Sequence, residues 1–457
     1  MNHIPRGYLC TVLCAALLLP ARAVSQNEHA RSLSLEDAVR TAVRNNPELK
    51  SAAFDAEKAN ARVREAWGYT MPNISVSGQY ARALKKQVFY LPGVFFGMSP
   101  DISVPVEIGS THSVTLGVQA TQILFNGAVF VGVGASQIYS DAAQEMYQGK
   151  RIEIVSRVRK AYYGALVARE ARALMQQSLT NAEDNLRNVR LLRQQGVLSE
   201  YDELRASVGV ENIRPMAIQA ETNEQLALDA LRNITGLPPG DTIAVSGALA
   251  FEPYDAAVLA ASDETLEQTN PNLRALRLQK DVTEAFVSAE RSNYLPTLVA
   301  FGNYQYQTQK NTFNISTNDF IASSMVGLNL SFNLFSGFQT SARVEQAETD
   351  VWKTEATLTN TENNLRTALR AARGTLEQAR KRLDAQDKNV ETAERGYKIV
   401  TTRFLAGSAT QLEVNDAQLA LTQAKVNRMQ AIYDYLSGSA DLDLLLGRIP
   451  PYAMATE

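Results

Sequence analysis

Apolar and polar residues alternate in short stretches of this chain, while seven-residue periodicities fill much of the rest. Ile74, Val76, Gly78 and Tyr80 fall on one side of an extended segment, with Asn73, Ser75, Ser77 and Gln79 on the other. Val114, Leu116, Val118 and Ala120 alternate in the same way with Thr115, Gly117, Gln119 and Thr121. Further on, Val326, Leu328, Leu330, Phe332 and Leu334 alternate with Gly327, Asn329, Ser331 and Asn333. Such two-residue periods over about ten residues predict strands with one apolar face. The pattern fits a transmembrane barrel strand and equally a half-buried strand of a soluble sheet.

The long segments read differently. No proline occurs between Pro105 and Pro215 or between Pro296 and Pro450. Leu369, Leu376, Leu383, Val390, Tyr397 and Phe404 recur every seven residues. A second series, Leu358, Leu365, Ala372, Ala379, Ala393 and Val400, accompanies them, broken by Gln386. Together they form an a/d seam. An earlier, weaker seam runs through Ile154, Ala161, Ala168, Met175, Ala182 and Val189 beside Val158, Ala165, Leu179 and Leu186, interrupted at Arg172. Gly127 to Gly196 and Gly337 to Gly407 enclose 68 and 69 residues. A helix of that length reaches roughly 100 Å, for which a globular domain has no use.

These elements come twice. Asn46-Pro47-Glu48-Leu49-Lys50 reappears as Asn270-Pro271-Asn272-Leu273-Arg274, and Pro72, Gly78 and Tyr80 reappear at the same offset as Pro296, Gly302 and Tyr304. Leu124-Phe125-Asn126-Gly127 matches Leu334-Phe335-Ser336-Gly337, while Gly196, Ala206 and Gly236 match Gly407, Ala417 and Gly447. Anchors held in register define a duplication. Each copy reads helix, strand, strand, long helix, helix. Ser34 with Asp37 resembles a capping box opening a helix that runs to about Trp67. The predicted organisation is residues 33–236 as the first copy, 237–261 as an equatorial linker, 262–447 as the second copy and 448–457 as a tail.

Residues 1–23 carry Arg6, an apolar run from Leu9 to Leu19 and Ala21-Arg22-Ala23, the parts of a secretory signal peptide. Cys10 and Cys14, the chain's 2 cysteines, lie inside it, so no disulfide is expected in the mature chain. No other run approaches the length of a membrane helix. Any membrane-spanning part must then be β.

Composition narrows the function. Lys and Arg number 45 against 48 Asp and Glu, which offers nothing to nucleic acid. The 3 histidines supply neither a metal cage nor a nucleophile–base motif, so no metal, cofactor or enzymatic activity is expected. Two hairpins give four strands, and an open four-stranded sheet cannot enter lipid with its edges unsatisfied. Barrels need about eight strands or more, so membrane-facing strands would force oligomerisation.

The doubled order of helix, hairpin and long helix, with the Leu-Phe-Asn-Gly and Leu-Phe-Ser-Gly junctions and the Gly-turn-acid segments, resembles the TolC-like outer-membrane efflux protein family from about Leu33 to Pro450. The resemblance implies a mainly α fold with a β membrane part. Three chains would share a 12-stranded barrel in the outer membrane that continues into a periplasmic α-helical barrel. It implies a passive outer-membrane channel of a tripartite efflux or secretion system. Its partners would be outer-membrane lipid, a periplasmic adaptor (membrane fusion) protein and, indirectly, an inner-membrane pump. A periplasmic adaptor or a structural coiled-coil protein is the competing reading. An adaptor, however, would carry a single hairpin flanked by β modules, and neither rival explains four alternating segments between matched turns.

By resemblance, Gly196, Val197, Leu198 and Ser199, with Gly407, Ser408, Ala409 and Thr410, form the tips that meet the adaptor. Their simpler role is to cap and restart helices. Asp202 and Glu413 stand six residues after each glycine, and Asp416 shares a helix face with Glu413. The resemblance implies an acidic pore constriction at Glu413, Asp416 and Asp202, whereas helix dipoles alone favour acids in a first turn. A basic lock common in the family would fall at Ala409 and is absent.

Three smaller expectations complete the reading. The 81–113 loop, with Phe89-Tyr90-Leu91-Pro92 and Phe95-Phe96-Gly97, is expected to pair an aromatic girdle with a surface loop. Pro215, unmatched at Val426, is expected to kink its helix near Arg214. His29 and His112 are expected at the surface, and the unpaired methionines argue against a dedicated copper or silver exporter.

Overall fold

The structure, a computed structural model, describes residues 31–255, 259 and 263–454. The expected signal peptide, with Cys10 and Cys14, and also His29 lie outside the described residues.

The first helix is two. Helix α1 (Leu35–Asn45) starts where the Ser34 hydroxyl accepts from the Asp37 amide at 3.1 Å. It stops at Asn46, and α2 (Pro47–Gly68) begins on the proline. The single helix expected to reach Trp67 is broken because a residue before proline avoids the helical region, and Asn46 sits at ψ 124°.

Strands β2 (Asn73–Arg82) and β5 (His112–Phe125) form the first hairpin, and β7 (Thr297–Lys310) and β8 (Ile321–Ser331) the second. All four join one antiparallel sheet ordered β2-β5-β7-β8. Register puts Val76, Val118 and Tyr304 in one row and Gln119 beside Asn303 in the next. One face is therefore mainly an apolar band and the other mainly a field of Gln, Asn, Ser and Thr, interrupted by Phe301, Ile321 and Met325. The third alternating stretch extends beyond its strand. β8 ends at Ser331, so Phe332 and Leu334 lie past it.

Within the 81–113 loop, β3 (Gln87–Pro92) and β4 (Ser103–Ile108) make a separate hairpin, closed by the Gly93 amide on the Ile102 carbonyl. The loop is thus ordered by its own ladder. Strand β1 (Arg31–Leu33) pairs in parallel with β6 (Ile243–Val245) of the linker. His112 is not a surface residue. It is buried at the outer end of β5, its Nδ1 2.9 Å from the Tyr80 hydroxyl, with the Phe313 ring edge-on to it.

Helices α3 (Gly127–Gln194) and α4 (Glu200–Thr235) form the first long hairpin. After the short α5 (Asp263–Thr269) and α6 (Pro271–Arg291), α7 (Gln339–Leu405) and α8 (Gln411–Leu445) form the second. The heptad residues face inward. Ile154, Val158, Leu179, Leu186 and Val189 are buried on α3, and Leu369, Leu376, Leu383 and Phe404 on α7. Pro215 lies inside α4, which runs on through it to Thr235.

The repeated anchors meet in space. Asn46 Oδ1 accepts from the Leu49 amide at 3.0 Å while its Nδ2 donates to the Ile234 carbonyl at 2.7 Å, at the end of α4. Asn270 does the same in the second copy, to Leu273 at 3.1 Å and to Leu445 at 2.9 Å. Gly236 (φ 70°) and Gly447 (φ 65°) close these helix ends. Asn starts one helix and ties down the end of another, and Gly lets the two backbones approach.

Candidate channel constriction and docking tips

Both long hairpins turn in the same way at the end away from the sheet. Gly196 (φ 76°) and Gly407 (φ 73°) adopt the left-handed conformation. The next amides, of Val197 and Ser408, reach back to Leu192 and Arg403 carbonyls at 2.9 and 2.8 Å, closing Schellman-type ends. A Cβ at either glycine would meet nothing within 4 Å, so the backbone angle alone demands glycine here.

Each turn restarts through a complete capping box. Asp202 accepts from the Ser199 amide at 3.1 Å and hydroxyl at 2.6 Å. Glu413 accepts from the Thr410 amide at 2.6 Å and hydroxyl at 3.1 Å. The Thr410 amide and hydroxyl, with Arg403 nearby, hold the Glu413 carboxyl below the usual range. Both carboxylates are committed to their own helices.

Asp416 differs. It is exposed and makes no hydrogen bond or ion pair among the described residues. It lines a groove of about 520 Å³ between α4 and α8. Arg205, Asn212 and Asn415 line it too, with the apolar Met175, Ile213, Leu412 and Leu419. Asp202 and Glu413 lie outside that lining. The three acids are thus split between two tasks, two in caps and one on an open wall.

The tip residues divide as well. Leu198 and Ala409 pack onto the core of Leu186, Val189, Phe404 and Val414, whereas Val197 is 64% exposed. In place of a base at Ala409, Arg403 donates to the Ser408 carbonyl at 2.7 Å and approaches Glu413 at 3.9 Å. In the first copy Arg190 and Arg193 both hold Glu203. Sequence reading missed Arg205 and Arg403. Their signal was a base within two helical turns of each loop, too common to single out.

Among the described residues no helix is long and apolar enough to cross a membrane, and no group of three or more His, Cys, Asp or Glu is arranged to hold a metal. The described sheet leaves both edge strands, β2 and β8, unpaired on their outer sides, with apolar side chains such as Val76 (81%) and Val326 (86%) exposed.

The model of the family described as "Outer membrane efflux protein" matches residues 38–237 and 264–448. The chain belongs to that family. The efflux protein is 23% identical over 426 residues to outer membrane protein TolC of Vibrio cholerae, with 91% of each chain covered. It is 23% identical over 443 residues to the alkaline protease secretion protein AprF of Pseudomonas aeruginosa, covering 96% of this chain and 88% of that one. Its fold matches the Campylobacter jejuni CmeC outer membrane channel with a TM-score of 0.77 at 18% identity, over 90% of this chain and 85% of that one. The efflux protein is an outer-membrane component of an export system that extends into the periplasm, and a conduit with no catalytic role.

Proposed function

We propose that three copies of the efflux protein close a twelve-stranded barrel through the outer membrane and a helical duct below it. Exported molecules would pass through this duct, a passive conduit, with the energy for export supplied by an inner-membrane pump that a periplasmic adaptor couples to it. The observation that carries this reading is the open sheet, mainly polar on one face and mainly apolar on the other, with two unpaired edges. Edge β8 of one copy against β2 of the next satisfies every ladder, as lipid requires. Heat-resistant oligomer bands in outer-membrane fractions, resolved into trimers by graded cross-linking, test it. A monomer soluble without detergent rejects it.

Within that duct the tips at Gly196–Ser199 and Gly407–Thr410 would meet the adaptor, chiefly through Val197 and Ser408. The exposed, unbonded carboxylate of Asp416 supports it as the principal constriction acid, with Glu413 beside it and Asp202 kept mainly as a cap. Threefold repetition would make Asp416 an acidic ring that favours cations. Asp416→Ala, alone or with Glu413→Ala, is expected to raise single-channel conductance in a planar bilayer and weaken cation preference. Asp202→Asn should leave both close to wild type. Unchanged conductance and selectivity in the double variant would remove the constriction reading while leaving the duct intact.

A further inference from the structure

At the end of the sheet farthest from the helices, basic side chains stand in one row across three neighbouring strands. Arg82 of β2 is in register with His112 of β5, and His112 with Lys310 of β7. Side chains alternate between faces, so this row tops the same columns that carry Ile74, Val76 and Tyr80 on β2 and Val114, Leu116 and Val118 on β5. The Tyr80 hydroxyl on His112 Nδ1 shows that the two share a face.

Polarity along these columns changes in the order a bilayer leaflet presents. From Ile74 to Arg82 the strand climbs about 27 Å, which at barrel tilt spans roughly 20 Å of an apolar band about 25 Å tall. Charge begins where hydrocarbon would end. Between the two lies an aromatic cluster, Tyr80, His112 and Phe313, with Phe313 71% exposed. Lys85 and Lys86 follow Arg82 within four residues. Arg82, Lys85 and Lys86 make no ion pair among the described residues. Lys310 is held by Asp319 and by the Asn314 carbonyl at 3.1 Å.

We propose that Arg82, Lys85 and Lys86, with Lys310 behind them, seat the phosphates of a phosphorylated glycolipid in the outer leaflet. The inference rests on the barrel reading above. A second copy is a poor occupant, because copies would join edge to edge through the backbones of β2 and β8, whereas this row stands on a face of the sheet, on the columns that carry Val76 and Val118. A soluble anion would not account for the continuity of the row with the acyl-facing columns. The lipid's headgroup meets the bases while its chains lie along Tyr80, Leu116 and Val118.

The test is native mass spectrometry of the purified full-length oligomer in detergent, titrated with diphosphoryl lipid A, with monophosphoryl lipid A and with phosphatidylcholine. Diphosphoryl lipid A should bind best and phosphatidylcholine least. A basic residue at a lipid surface contributes roughly fivefold, so R82Q/K85Q/K86Q should weaken diphosphoryl binding on the order of a hundredfold, and R82K/K85R/K86R should restore it. If the triple variant fails to assemble, K85Q/K86Q, which lies outside the strands, should still weaken binding about twentyfold. Equal binding by the variants and wild type, equal binding of phosphatidylcholine, or displacement by millimolar inorganic phosphate overturns the proposal. A wild-type chain without a heat-resistant oligomer overturns the barrel reading and this one with it. An intact oligomer indifferent to charge overturns this one alone.

Discussion

The two copies of the duplicated unit agree where backbone meets backbone and diverge where a partner differs. At the waist both use Asn-Pro to start one helix and tie down another, and both place a left-handed glycine at the tied end. At the strand-to-helix junctions they part. Asn126 caps α3 through its side chain, accepting from the Val129 amide at 3.2 Å. The second junction instead passes through Gly337 and Phe338, both left-handed, and α7 starts with no side-chain cap. The long helices also differ in environment. α3 is packed by α2, α4, α6 and α8, whereas the buried residues of α7 are confined to Leu369, Leu376, Ala379, Leu383 and Phe404. A duplicated sequence thus keeps the joints that the fold itself requires. Its freedom goes to the strand-to-helix junctions and to how much of each long helix is covered within the chain.

The waist joints give the largest expected effect. A Cβ on Gly236 would sit 2.6 Å from the Asn45 carbonyl oxygen, and one on Gly447 would collide with the Thr269 carbonyl. Gly236→Ala and Gly447→Ala should each cost about 2–5 kcal/mol, the left-handed penalty plus overpacking. The readout is a lower dissociation temperature of the oligomer. Gly196→Ala and Gly407→Ala at the open tips should cost only about 1–2 kcal/mol, the backbone angle alone. Equal losses at waist and tips would break the distinction between joints and ends.

The junctions come next. Asn126→Ala should lose about 1 kcal/mol with its cap. Phe338→Gly should gain about 1 kcal/mol by relieving a left-handed residue. Opposite signs in denaturant-monitored helix loss would confirm that the copies solve this corner differently. Matching signs would mean that Phe338 is repaid by its own side-chain contacts, such as its edge-to-face packing on Phe335, with ring centroids 5.5 Å apart.

Period and spacing made much of this architecture legible. Leu369, Leu376 and Leu383 announced the seam, and the alternation from Ile74 to Tyr80 announced the strand, because burial on one face repeats at the helix or strand period. What stayed hidden depends on contacts distant in sequence. His112 was read as exposed because nothing local says that Phe313, two hundred residues on, lies against it. The β3–β4 hairpin escaped because its strands are short and contain Pro92 and Pro105. The roles of Asp202 and Glu413 were ambiguous from spacing, since a carboxylate three residues after Ser or Thr is both a capping box and a candidate pore acid. Only the geometry separates them from Asp416.

The smallest expected effect probes a pair of matched positions with different residues. Glu48 in the first copy corresponds to Asn272 in the second. Hydrogen bonds from Arg157 and then Lys150 pull the Glu48 carboxyl down from 4.5 to about 2. A depressed folded pKa means stability that is fully present above the ordinary value and lost as pH falls through the folded one. The window therefore runs from about 4.5 down to about 2. Glu48 is 47% exposed, and solvent screening holds such a pair to roughly 0–1 kcal/mol. Glu48→Asn should make the first copy resemble the second. Its thermal stability should fall slightly below wild type at neutral pH and converge with wild type as pH approaches 2. A difference that persists unchanged at low pH would show that Glu48 acts through packing against α3, and that this joint owes nothing to charge.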